Sequence, residues 1–125
     1  MKSSVITFPG SNCDRDMDVA LKKFGFKNKM VWHTDAELPK CDLVVLPGGF
    51  SYGDVLGAGQ GWAKSIIYND ALKASFSGFF ADTNKFALGV CNGCQMLSAL
   101  RSIIPGTEDW PDFVRNRSEQ FEARY

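Results

Sequence analysis

The chain has 125 residues, enough for one modest domain, and its 45% hydrophobic and 22% charged residues are ordinary for a globular protein. Fourteen basic and fourteen acidic residues give a formal net charge of +0, which argues against nucleic acid and a membrane surface as partners. No window approaches the ~18 apolar residues of a membrane span, and no signal-peptide pattern opens the chain. The sequence therefore predicts a cytoplasmic protein whose cysteines are reduced thiols: Cys13, Cys41, Cys91 and Cys94.

The first predicted elements form a βα unit. Residues 4–8 are a short apolar run rich in β-formers, and they end in a Pro-Gly-Ser-Asn turn at residues 9–12. Apolar residues then recur at helical spacing up to a glycine that suits a left-handed helix cap: Met17, Ala20, Leu21, Phe24 and Gly25.

The following elements alternate in type. We predict strands over residues 29–32, 42–46 and 86–90, and helices over residues 62–68, 71–80 and around Met96, Leu97 and Leu100. The run at residues 42–46 is almost wholly apolar, as a parallel sheet covered on both faces requires. The sequence therefore predicts an α/β domain with a doubly wound, mostly parallel sheet.

The last five residues alternate apolar and charged side chains. Phe-Glu-Ala-Arg-Tyr at residues 121–125 is typical of a strand, and the sequence stops there without a turn or a cap. We therefore expect residues 1–125 to be a partial domain whose sheet is cut within a strand.

The most informative motif is Gly-Val-Cys-Asn-Gly at residues 89–93, between an apolar run and a predicted helix. This arrangement presents a nucleophile on a sharp strand-to-helix turn, and the positive end of the helix dipole then favours the thiolate form of Cys91. A thiolate attacks a carbonyl carbon, and free backbone N–H groups of such a turn can stabilise the resulting oxyanion. A buried cysteine at a strand end is the alternative interpretation.

The cysteines also allow a redox pair or a zinc site as interpretations. Cys91 and Cys94 form a Cys-x-x-Cys pair, which is found in redox proteins and in zinc sites. Zinc needs about four ligands, and the other candidates, Cys13, Cys41 and His33, are isolated in the sequence. His33 is also the only histidine, and therefore the only imidazole base for a Cys–His dyad, although a lone histidine at a strand end is more often structural.

A second motif, Gly-Gly-Phe-Ser-Tyr-Gly-Asp at residues 48–54, follows the predicted strand at residues 42–46. Two adjacent glycines allow a backbone to approach a ligand closely, as an oxyanion hole requires, whereas the spacing does not fit a phosphate-binding loop. A flexible surface loop is the alternative. Because this loop, the turn at residues 9–12 and the Cys91 turn all follow strands, we expect them to meet at one edge of the sheet.

These motifs resemble the glutaminase domain or subunit of phosphoribosylformylglycinamidine synthase, a class I, triad-type glutamine amidotransferase with a flavodoxin-like fold. The resemblance is carried by residues 9–14 (PGSNCD), 47–54 (PGGFSYGD), 88–95 (LGVCNGCQ), 104–106 (IPG) and 113–116 (FVRN). It implies that Cys91 attacks the side-chain amide of glutamine, releases ammonia and forms a glutamyl thioester that water hydrolyses.

The resemblance also implies roles for other residues and partners. It places the oxyanion hole at backbone N–H groups near Gly49 and of Asn92, and it lines the glutamine pocket with Phe50, Ser51, Asp54 and Gln95. Arg115 and Asn116 are weaker candidates for contacts with substrate or an interface. No cofactor or metal is implied in this domain. ATP and Mg²⁺ belong to the partner synthetase, which uses the ammonia to convert formylglycinamide ribonucleotide to formylglycinamidine ribonucleotide in purine biosynthesis.

The sequence departs from the family pattern in two respects. The family's catalytic histidine and glutamate lie in the second half of the domain, and no histidine follows Cys91 here. We expect residues 1–125 alone to be inactive, since general acid–base catalysis typically contributes ~10²–10⁴ in rate. Up to Asp54 the chain resembles the separate-subunit form of the family, and from Val55 onward it resembles the carboxyl-terminal domain of the single-chain form. The sequence therefore does not decide between a separate subunit and a domain covalently joined to the synthetase.

Two other hypotheses compete with the glutaminase interpretation. One is a non-catalytic flavodoxin-like module, and the other is a different cysteine hydrolase with the same nucleophile turn.

Overall fold

A computed structural model describes residues 1–35 and 37–124, and it has the predicted α/β architecture. A parallel sheet of four strands, in the order β2-β1-β3-β4, lies between one helix on one face and three on the other. The elements are β1 (Lys2–Thr7), α1 (Asp14–Lys23), β2 (Lys27–Trp32), β3 (Leu43–Leu46), α2 (Gln60–Ile67), α3 (Asp70–Ala81), β4 (Phe86–Gly89) and α4 (Asn92–Ala99). Short 3₁₀ turns lie at Ser51–Asp54 and Arg101–Ile103.

The two faces of the sheet bury different sets of side chains. Successive side chains of a strand point to opposite faces, so Ile6, Val44 and Leu46 pack into the larger core beneath α2, α3 and α4. Val5 and Val45 pack on the other face, against Leu21 of α1. The nearly unbroken apolar run of β3 therefore reflects burial on both faces, as the sequence predicted.

Helix α1 illustrates how local sequence fixes an element. Its apolar side is made by Met17 and Leu21, which lie one turn apart and pack on the sheet. The helix is followed by Gly25, whose φ of +82° is the left-handed conformation that glycine adopts without a steric penalty. Its predicted end is confirmed.

The predicted terminal strand is not formed. Residues 111–124 contain no helix or strand, so the prediction of a strand over residues 121–125 is wrong for residues 121–124, and Tyr125 lies outside the described residues. A strand exists only when a neighbour accepts and donates its backbone hydrogen bonds. Among the described residues, no strand lies beside this segment.

None of the helices in the described part of the chain has both the length and the apolar content of a transmembrane span.

Candidate active site

Cys91 lies on a strained turn between β4 and α4. Its backbone has φ +53° and ψ −116°, a left-handed conformation that costs a non-glycine residue ~1–3 kcal/mol and that clusters at functional sites. The flanking glycines make this turn possible: a Cβ on Gly89 would lie 2.6 Å from the carbonyl oxygen of Gly93, and one on Gly93 would overlap the carbonyl oxygen of Leu46. The Gly-x-Cys-x-Gly spacing is thus a packing requirement, and it leaves the Cys91 side chain exposed.

The start of α4 provides a free backbone donor beside this thiol. The N–H groups of Gly93 and Cys94 donate to the carbonyl oxygens of Val90 and Cys91, both at 2.9 Å. Among the described residues, the N–H of Asn92 donates to no acceptor. An unpaired N–H next to a nucleophile, at the positive end of a helix, can stabilise a developing oxyanion.

The Gly-Gly loop reaches the same point from β3. A Cβ built on Gly48 would lie 3.3 Å from the Cβ of Cys91, so the loop backbone runs directly past Cys91. The loop is held from below by the turn at residues 9–12: the N–H of Phe50 donates to the carbonyl oxygen of Gly10 at 2.8 Å, and the N–H of Asn12 donates to that of Gly48 at 3.2 Å. The structure therefore brings together the three loops that the topology was expected to join.

The side chain of Asn92 connects the Gly-Gly loop to the Cys91 turn. Its Nδ2 donates to the carbonyl oxygen of Gly49 and to Oδ1 of Asp54, both at 2.9 Å, and the residue is only 2% exposed. Its own Oδ1 is buried without a partner among the described residues. The sequence suggested a role for the backbone of Asn92 only. An amide next to Cys91, with a carboxylate at the end of the Gly-Gly loop, was the available signal.

The residues expected to line a glutamine pocket lie in different environments. Phe50 is exposed and Gln95 is half-buried. Ser51 is fully buried, at 0% exposure, and its Oγ accepts the N–H of Trp62 at 3.0 Å. The hydroxyl of Ser51 therefore holds the first turn of α2 in place.

A groove opens beside Gln95. Its volume is about 540 Å³, and it is lined by Gln95 and residues of two other segments: Leu56, Gly57, Ala58, Gln60, Phe113, Val114 and Arg115. Asn116 is turned to a local contact instead, since its Nδ2 donates to the carbonyl oxygen of Gln120 at 2.9 Å. Of the two weaker candidates, only Arg115 lines this groove.

His33 lies far from Cys91. It follows β2, whereas Cys91 follows β4, and β1 and β3 lie between them. Three strand spacings of about 4.8 Å separate the two residues by roughly 14 Å across the sheet. The imidazole instead packs against the rings of Phe8 and Trp32, at centroid distances of 5.6 and 5.0 Å, and burial lowers the pKa of His33.

Neither a disulfide nor a metal-binding cluster is found among the cysteines of the described residues. All four are free thiols, so Cys91 and Cys94 are not joined by a disulfide. The described residues contain no group of three or more histidine, cysteine, aspartate or glutamate side chains placed to hold a metal ion.

A doubly wound sheet with a cysteine on a strained strand-to-helix turn defines an α/β protein of the nucleophile-elbow class. The model of the CobB/CobQ-like glutamine amidotransferase domain matches residues 1–125, and the chain belongs to this family. The chain is 58% identical over 121 residues to phosphoribosylformylglycinamidine synthase subunit PurQ of Pelagibacter ubique. This alignment covers 97% of this chain and 48% of that protein. The resemblance inferred from the motifs is thereby confirmed.

A solved structure is similar as well. The structure of PurLQS from Thermotoga maritima matches with a TM-score of 0.62 and 38% identity, over 79% of this chain and 43% of that chain. The chain thus spans about half the length of the relatives that it matches.

Proposed function

We propose that the chain is the amino-terminal half of the glutaminase part of phosphoribosylformylglycinamidine synthase and that Cys91 is its nucleophile. The observation that carries this proposal is the strained φ of +53° at Cys91, directly before α4 and beside the Gly48 backbone. Strain of this kind persists only where the surrounding structure enforces it, and here it directs an exposed thiol towards a backbone able to bind an oxyanion.

In the proposed reaction, the Cys91 thiolate attacks the side-chain amide carbon of glutamine. The carbonyl π electrons move to oxygen, and the N–H groups of Asn92 and Gly49 donate to the oxyanion. Its collapse breaks the C–N bond, and a general acid protonates the departing nitrogen, which leaves as ammonia. Water then attacks the glutamyl thioester, glutamate leaves, and the thiol is restored.

The groove beside Gln95 is the proposed binding site for glutamine. Gln95 lies one helical turn after Cys91, so its amide faces the same side of α4 as the nucleophile. Arg115 supplies a guanidinium that pairs with the α-carboxylate of glutamine. Phe50 and Asp54 border the site from the Gly-Gly loop, and Ser51 acts as a positioning residue through its contact with α2.

The general acid and base come from outside the described residues. His33, the chain's one histidine, lies roughly 14 Å away across three strand spacings. We infer that the half of the domain found in the longer relatives supplies this group. The ammonia is passed to the synthetase partner, which binds ATP and Mg²⁺; this domain uses no cofactor of its own.

The nucleophile and its pocket can be tested without turnover. A glutamine analogue with a chloromethyl ketone in place of the side-chain amide should alkylate Cys91 and not the neighbouring exposed Cys94, as read by peptide mass spectrometry. L-Glutamine should slow this labelling and D-glutamine should not. Equal labelling of both thiols, with no protection by L-glutamine, would contradict the proposal.

The need for an external general acid has its own test. The chain of 125 residues is expected to release no ammonia from glutamine above the rate of the Cys91→Ala variant. Turnover that Cys91→Ala abolishes would show that the described residues already contain an acid and base.

A further inference from the structure

Two cysteines from distant parts of the chain approach each other beside Gly48. A Cβ built on Gly48 would lie 3.3 Å from Cβ of Cys91 and 3.6 Å from Sγ of Cys13. Sγ of Cys13 therefore lies within 6.9 Å of Cβ of Cys91, the sum of these two distances. The glutaminase reaction uses no atom of Cys13, although its thiol lies beside Cys91.

Gly48 leaves the space between the two side chains open. Its φ lies outside the left-handed region, so the backbone conformation at this position does not require glycine. What glycine supplies here is the absence of a Cβ next to both cysteines. Rotation about χ1 carries a cysteine sulfur between staggered positions, and no side-chain atom of residue 48 stands between the two sulfurs.

The two thiols differ in the features that control their reaction with an oxidant. Cys91 is exposed and occupies the N-cap position of α4, whose first turn carries no acidic residue. The positive end of that helix stabilises a thiolate, which is the form that an oxidant attacks. Cys13 is only partly exposed, and the first turn of its helix, α1, contains Asp14 and Asp16. Its thiol donates a hydrogen bond to Oδ1 of Asn12 at 3.0 Å, so it is the second thiol to react.

We propose that Cys13 is the resolving partner of Cys91 and that hydrogen peroxide joins the two in a reversible disulfide. The Cys91 thiolate attacks one peroxide oxygen, the O–O bond breaks, and hydroxide leaves while the sulfur becomes a sulfenic acid. The thiol of Cys13 then attacks this sulfur: the S–S bond forms, the S–O bond breaks, and the departing hydroxide takes the proton of Cys13. In total, two thiols are oxidised by two electrons, one peroxide is reduced, and two water molecules form.

Cys94 is the competing partner, because it forms a Cys-x-x-Cys pair with Cys91. It lines a separate apolar groove of about 250 Å³ that extends to Trp110 and Phe113. Cβ of Cys91 lies instead beside the Gly-Gly loop, where the sulfur of Cys13 also lies. The structure therefore favours a disulfide with the cysteine that is distant in sequence.

The disulfide removes the thiolate that the glutaminase reaction needs, and thiol reductants restore it. It also keeps the Cys91 sulfenic acid from further oxidation to the sulfinic acid, which thiol reductants do not reverse. Formation of the bond rests on the proximity of the two thiols alone. Its effect on glutamine hydrolysis rests on the proposed function.

Peptide mapping of the oxidised chain tests the pairing. One equivalent of hydrogen peroxide is added, free thiols are blocked with N-ethylmaleimide, and the chain is digested with trypsin without reduction. Trypsin places Cys13 in the peptide of residues 3–15, and both Cys91 and Cys94 in that of residues 86–101, so fragment ions from between the latter two assign the bond. We expect the Cys13–Cys91 bond to be at least tenfold more abundant than the Cys91–Cys94 bond, while the buried Cys41 stays reduced.

Two serine variants separate the partners. Cys94→Ser should form the Cys13–Cys91 bond at the wild-type rate, whereas in Cys13→Ser the Cys91 sulfur should proceed to the sulfinic acid, detected as a gain of two oxygen atoms. The map of the wild-type chain decides the pairing even where a variant fails to fold, and oxidation in urea provides the unfolded reference. A predominant Cys91–Cys94 bond, a sulfinic acid at Cys91 of the wild type, or the same pairing with and without urea would overturn the proposal.

The proposed function fails separately. In the oxidised chain, labelling of Cys91 by the chloromethyl ketone analogue of glutamine should fall at least tenfold and return with dithiothreitol. A Cys13–Cys91 bond in a chain whose reduced Cys91 is not protected by L-glutamine would uphold the redox pair and contradict the assignment as a glutaminase. Protection by L-glutamine, with no Cys13–Cys91 bond after peroxide, would do the reverse.

Discussion

The side chain of Asn92 is expected to hold the Gly-Gly loop against the Cys91 turn, and Asn92→Ala measures that effect. The variant loses two hydrogen bonds of 2.9 Å, one to the carbonyl oxygen of Gly49 and one to the carboxylate of Asp54. A neutral bond contributes ~0.5–1.5 kcal/mol and a bond to a charged group ~1.5–3 kcal/mol, so ~2–4.5 kcal/mol of stability is lost. The variant also removes the buried, unpartnered Oδ1 and with it a desolvation penalty of ~1–3 kcal/mol. The net loss of stability is therefore ~1 kcal/mol.

Global stability alone would not show where this free energy acts, so the assay is amide hydrogen exchange. The N–H groups of Phe50 and Asn12 hold the loop to the turn at residues 9–12. A net cost of ~1 kcal/mol should make them exchange roughly fivefold faster in Asn92→Ala. The matched control is Asn69→Ala, which removes the side-chain cap of α3 and costs a similar ~1 kcal/mol at a distance from the site.

The control should leave exchange at Phe50 and Asn12 unchanged, because these amides open with the loop and not with α3. Exchange in Asn92→Ala within about twofold of the wild type would refute the reasoning. It would mean that the contacts of the turn at residues 9–12 hold the loop without Asn92.

Three further outcomes follow from the packing. Gly93→Ala should lower the free energy of unfolding in urea by ~2 kcal/mol or more, since its Cβ would overlap a main-chain carbonyl of β3. The control is Gly78→Ala in α3, where an added Cβ would meet no atom outside its own helix within 4 Å. This variant should gain ~0.5–1 kcal/mol. Ser51→Ala should cost ~1–3 kcal/mol, because the N–H of Trp62 loses a buried acceptor. Burial lowers the pKa of His33, so the unfolded chain binds the proton more tightly and stability should fall as the pH drops through the ordinary value near 6.5 towards the lower folded value. In His33→Gln this part of the pH dependence should vanish; an unchanged slope would assign it to other groups.

The sequence by itself determined most of the helices and strands and the turn that carries Cys91. The helical spacing of Met17 and Leu21, the glycine that ends α1, and the apolar run of β3 are local signals, because each depends on residues within one or two turns of chain. The Cys91 turn was predictable for the same reason: the glycines whose lack of a Cβ allows its close packing lie two residues to either side. Strand–helix alternation then fixed the α/β class and the edge at which the three loops meet.

Only the tertiary structure decided which side chains act together. Asn92 and Asp54 are 38 residues apart in sequence, and no local pattern pairs an amide donor with one particular carboxylate. In the sequence Ser51 is a loop residue, and only the fold shows that it contacts α2. Likewise, His33 is a possible base in the sequence, and only the strand order shows that two strands separate it from Cys91. The alternation at residues 121–124 forms no strand, because alternation selects a face only when a neighbouring strand provides the hydrogen bonds. Hydrogen bonds, burial and reach are properties of atoms brought together from distant parts of the chain, and the spacing of residues in the sequence does not contain them.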